Sequence, residues 1–313
     1  MTEALIALRF VHFAAAMAAF GIVAFQSYAF AGALEAAAEV PARIELDIRL
    51  GRMTTAAAVF VLVTALALIP CVTAEMTGSA GAGFDISMDT TMLTETEFGR
   101  VWCWHVGFAV LLLPASLLPR HRRRAELTAV AALLALANLG WTGHAAMDMG
   151  GWPLHQINQM AHLIAAGAWL GGLFPLGMLL RRALRQPEGR AYASLARTAL
   201  PHFSQMGYAA VTLLALTGIV NSVMLIGSFH ALMTSGYGRL LMVKIALFTA
   251  MVGLALINRL RLAPRLTRRP PSPAPLRTLC RSVLVEQALG LAILAVVAVL
   301  GISAPPMDGM TMQ

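Results

Sequence analysis

The chain has 313 residues, of which 58% are hydrophobic and only 12% charged, with a mean hydropathy of +0.73. So little charge excludes an ordinary soluble domain and points to an integral membrane protein. The net charge of +8 sits in short basic clusters between apolar runs, the pattern of membrane loops rather than of a nucleic-acid footprint.

A helix needs about 20 apolar residues to cross a bilayer, and eight segments qualify in chain order: 4–31, 53–72, 98–118, 125–147, 154–180, 199–228, 238–260 and 279–303. The first ends in AFA at 29–31, which resembles a signal-peptidase site. The run is long for a leader, and Glu3 stands where a basic residue is expected, so it is read as a retained span. Pro70, Pro175 and Pro201 fall in or beside spans, which membrane helices tolerate when neighbours satisfy the freed carbonyls. The loop after the first span carries Arg43, Arg49 and Arg52, and that after the third reads RHRRR at 120–124. The loop after the fifth holds Arg181, Arg182, Arg185, Arg190 and Arg197, and that after the seventh holds six arginines from Arg259 to Arg277. The alternate loops 73–97, 148–153 and 229–237 contain no Lys or Arg. The positive-inside rule therefore places both termini and these three loops in the periplasm. The expected architecture is an all-α, polytopic bundle of eight transmembrane helices, residues 1–303, followed by a Met-rich periplasmic tail, 304–313. No internal repeat is expected. Cys71, Cys103 and Cys280 are isolated and support neither a disulfide framework nor a zinc site.

Depth follows from a rise of 1.5 Å per residue. His12, His105 and His162 all fall ~10–12 Å below the outer ends of their spans. His144 lies near the outer end of the fourth span and His155 opens the fifth. His155, Gln159 and His162 share one helix face, and buried polar groups of this kind face protein or water, not lipid. Met147 and Met149 flank Asp148 between two histidine-bearing spans. Further methionines gather on the same side: Met76, Met88 and Met92 in the outer loop, and Met307, Met310 and Met312 in the tail. Imidazole nitrogen with thioether sulfur suits copper, the thioether favouring Cu(I) and imidazole either Cu(I) or Cu(II). The candidate metal ligands are His12, His105, His144, Met147, Met149, His155 and His162. Each has a plainer reading: a membrane histidine bonded to its neighbour, a methionine filling the core. Lys244, the lone lysine, either snorkels or has a pairing or gating role. Glu286 is expected to pair with Arg281 or to serve as an inner relay for a cation.

Six stretches resemble the copper resistance protein D family of bacterial inner-membrane proteins: LRFVHFAAA (8–16), TGHAA (142–146), HLIAAGAWLGGLFPLG (162–177), HFSQMGYAAVTLLALTGIVNS (202–222), YGRLLMVKIALF (237–248) and EQALGLAILAVVAVLG (286–301). The resemblance implies copper handling with a periplasmic copper-binding partner of CopC type, and copper passage from periplasm to cytoplasm. By family pattern the histidines concerned are His12, His144 and His162; the remaining candidates rest on depth and spacing. No P-loop or aspartyl-phosphate motif is visible, so neither ATP nor enzymatic turnover is expected. Two alternatives stand beside the copper carrier. One is a membrane redox protein in which two histidines of matched depth clamp a haem. The other is a scaffold that docks the periplasmic chaperone without moving copper.

Overall fold

The computed structural model describes residues 2–30, 40–119, 122–142, 154–185, 190–266, 273–304 and 306. Among them there is no strand, and seven helices are long and apolar enough to cross a membrane. The chain is an all-α multi-pass bundle. In order, α1 is Thr2–Ala24, continued by a π-turn Phe25–Phe30, and α2 is Val40–Thr77. A short α3, Ile86–Glu95, precedes α4, Glu97–Leu117, and α5, Arg122–Asn138. Then α6, Leu154–Ala166, runs through a π-turn Gly167–Gly171 into α7, Gly172–Arg185. The long α8, Arg190–Ile226, and the short α9, Phe229–Thr234, lead to α10, Gly236–Ile257, and α11, Pro273–Leu300.

Seven of the eight expected spans thus coincide with helices long and apolar enough to cross. The fourth is α5, whose 17 residues cover ~25 Å before a 3-10 turn, Leu139–Trp141, after which the segment leaves the described residues. Helices α2 and α8 overrun the expected spans at the arginine-rich end, because their extensions are charged and reach past the apolar layer. There Glu45 accepts from Arg49 at 2.8 Å, Arg182 at 3.0 Å and the Tyr192 hydroxyl at 2.7 Å, tying α2 to α7 and α8. At the other end both long helices stop at a glycine of positive φ, Gly78 at 66° and Gly227 at 70°, the left-handed stop that glycine adopts without penalty.

Two expected outer loops hold short helices instead. Asp85 caps α3 by accepting from the Ser87 amide at 2.9 Å. The Ser87 hydroxyl and amide hold its carboxyl below the usual range. Ser228 caps α9. At the centre of the bundle α1 crosses the π-turn of the fifth span. A Cβ on Gly21 would collide with the Gly171 backbone, and one on Gly171 with the Met17 carbonyl. Only the lack of side chains there allows so close an approach.

Candidate metal centre

His12 and His105 meet in the core between α1, α2 and α4, and both are buried, at 1% and 0% exposure. Their Nε2 atoms stand 3.0 Å apart. His12 Nδ1 lies 2.7 Å from the Thr64 hydroxyl, whose own hydrogen goes one turn back to the Phe60 carbonyl. Thr64 therefore accepts, His12 Nδ1–H donates, and His12 Nε2 carries a lone pair directed at His105. Trp102 fixes the second ring. It stacks on His105 with centroids 4.9 Å apart and is itself pinned by its indole N–H to the Ala65 carbonyl at 3.0 Å.

The remaining nitrogen decides what the pair can hold. His105 Nδ1 closes no hydrogen bond, and neither does the buried Asn138 Oδ1. The Ala135 carbonyl and the Asn138 side chain of α5 also lie beside the ring. If His105 Nε2 donates to His12, the pair is an ordinary N–H···N hydrogen bond and Nδ1 is left to accept, beside the Asn138 side chain. If instead Nδ1 carries the hydrogen, the orphan Asn138 Oδ1 is matched and two lone pairs face each other across 3.0 Å. That second arrangement is the one that a bound cation would use. It is also the arrangement of metal-bound imidazoles, whose outer N–H donates to a protein oxygen. With metal–nitrogen distances of ~2.0–2.1 Å as in zinc sites, the spacing suits two adjacent ligands of one ion. At 3.0 Å the two nitrogens stand too close together to clamp a haem between them.

A cavity of about 20 Å³ adjoins His12, lined among others by Arg9, Phe98, Trp102 and Thr142. That is room for about one water-sized occupant. Arg9 sets its guanidinium 5.6 Å from the Phe13 ring and leaves Nε without a partner. Its charge inside the first span went unremarked among the sequence candidates.

The other candidates fall elsewhere. His144, Met147 and Met149 lie outside the described residues, as do Met307, Met310 and Met312 of the tail. His155 is buried at the start of α6. His162, on the same helix, reaches α8, where its Nδ1 lies 2.8 Å from the Thr217 hydroxyl. Asn158, Gln159 and Asn221 form a hydrogen-bonded chain beside it. Among the described residues no group of three or more His, Cys, Asp and Glu lies close enough to hold one ion. His12 and His105 are thus brought together without His155 or His162. Met92 is packed in the interior, while Met76 and Met88 are exposed. Glu286 is bonded by the Asn258 amide, and among the described residues it forms no ion pair with Arg281.

Two family models and three curated relatives match the chain. Residues 1–156 match the family model "Copper resistance protein D-like, N-terminal domain" and residues 197–300 match "Copper resistance protein D". The chain is 31% identical over 315 residues to copper resistance protein D of Pseudomonas syringae pv. tomato, covering 97% of each. It is 30% identical over 305 residues to inner membrane protein YebZ of Escherichia coli K12, covering 96% of this chain and 98% of that one. A third relative, copper transport protein CutJ of Bacillus subtilis, is 30% identical over 255 residues, which are 77% of this chain and 44% of that protein. The chain is a multi-pass inner-membrane protein and belongs to the copper resistance protein D family.

Proposed function

We propose that the protein binds copper through His12 and His105 at its arginine-poor, periplasm-facing end and passes it across the inner membrane towards the cytoplasm. The observation that carries this reading is the imidazole pair, with His12 Nδ1 on Thr64 and His105 Nδ1 unpartnered, as is the buried Asn138 Oδ1. The names of two relatives, a copper resistance protein and a copper transport protein, support copper as the cargo. His144, Met147, Met149 and His155 are the donors expected to pass an ion from a CopC-type partner to the pair. Thr142, at the last described turn of the fourth span, lines the His12 cavity, and His144 follows two residues later in the chain. No bond is made or broken in this process; the protein is a carrier, not an enzyme.

The test is copper content and affinity of the purified full chain against His12→Ala and His105→Ala, followed by copper uptake into proteoliposomes. The expected result is loss of the bound ion in both variants and uptake by the wild type alone. Copper retained in both variants would overturn the site. Binding without accumulation inside the vesicles would overturn the carrier in favour of a dock.

A further inference from the structure

The His12 arrangement occurs twice. His12 stands nine residues before Gly21, and His162 nine before Gly171; these two glycines meet where the halves cross. Each histidine sets Nδ1 on a threonine hydroxyl of the next long helix, Thr64 at 2.7 Å and Thr217 at 2.8 Å. Each threonine donates one turn back, to the Phe60 and Leu213 carbonyls. The helices that follow start alike. Thr96 and Ser235 cap α4 and α10 by accepting from the Gly99 and Gly238 amides, both at 2.9 Å. The sequences run T-E-F-G-R and S-G-Y-G-R. A short helix precedes each cap, α3 and α9, and the long helices α2 and α8 have 38 and 37 residues.

Nine residues after Thr96 stands His105, and nine after Ser235 stands Lys244. In the first half this position completes the imidazole pair. In the second it supplies an ammonium, on the helix that the matching cap begins. Among the described residues Lys244 has neither an ion pair nor a hydrogen bond. An unpaired ammonium in a membrane span is costly, so its retention without a carboxylate needs a reason.

We infer that the protein is a duplicated four-helix unit whose second copy of the imidazole site is filled by its own cation, Lys244, and therefore takes no copper. This rests on the reading of His12 and His105 as the copper pair. Lys244 decides selectivity here. An ammonium offers three donors and no lone pair, so it cannot ligate the ion, and its charge repels one. The single ion is thereby confined to one half of a nearly two-fold structure, which gives the copper path one defined entrance.

The experiment loads detergent-solubilised full-length protein with Cu(I) and counts copper per chain. Wild type and His162→Ala are expected to hold the same amount. Lys244→His is expected to double the content of the wild-type site by restoring a second imidazole pair. The added ion should vanish when His162→Ala is combined with Lys244→His, and survive when His105→Ala is. A fall in copper on His162→Ala alone would overturn the inference. So would a Lys244→His protein that elutes and melts like wild type yet gains no ion. Copper unaffected by His12→Ala and His105→Ala would overturn the first-half site, and this inference with it, whereas failure of Lys244→His alone leaves the first-half site standing.

Discussion

Thr64 holds His12 in one tautomer, because its hydroxyl hydrogen is spent on the Phe60 carbonyl and only its lone pairs remain for the ring. Partners of this kind typically change metal affinity 10–100-fold when removed. Thr64→Val keeps the volume and removes the acceptor. Copper affinity is expected to fall by roughly 10–100-fold while the protein stays folded; equilibrium competition with a Cu(I) chelator measures it, and an unchanged affinity would remove Thr64 from the site. The histidines were legible in the sequence because an imidazole in an apolar span stands out, and matched depth grouped His12 and His105. Thr64 was not, since a threonine bonded to its own helix is ordinary in membrane spans. Trp102 was not either, as interfacial tryptophans are expected near span ends. Depth also grouped His162 with the other two, but depth does not say which way a helix face points, and α6 turns His162 to α8.

Among the helices, the crossing of α1 with the Gly167–Gly171 turn sets how close the two halves come. Gly21→Ala would drive a methyl group into the Gly171 backbone, and overpacking of this sort costs about 1–3 kcal/mol. The expected outcome is a lowered melting temperature in detergent. Gly107→Ala, on a face of α4 with nothing within 4 Å, is the control and is expected to be neutral or slightly stabilising. Equal melting of the two variants would contradict the packing argument. Span positions were legible because hydropathy reports burial in lipid directly. Helix ends were not: α2 and α8 continue as charged extensions, and α3 and α9 hide in loops whose Gly, Ser and Thr content suggests turns. Those same small polar residues serve as the caps.

At the scale of the whole molecule, the duplication inferred above escaped the sequence because the shared positions are few and far apart. The caps and the F-G-R and Y-G-R runs agree, but the intervening apolar residues vary freely as long as they face lipid. The arginines fall on alternate loops, which sets the expected orientation. It predicts that Ser79→Cys, exposed in an outer loop, reacts with an impermeant maleimide in intact spheroplasts, whereas Arg185→Cys reacts only after permeabilisation; the reverse pattern would invert the bundle. The central claim is that two imidazoles from different spans share one copper ion. X-ray absorption of the copper-loaded wild-type protein tests it most directly. The account predicts outer-shell imidazole scattering from two rings, reduced to none with the ion lost in the His12→Ala, His105→Ala double variant. Bound copper surrounded by sulfur alone, or an unchanged spectrum in the double variant, would contradict it.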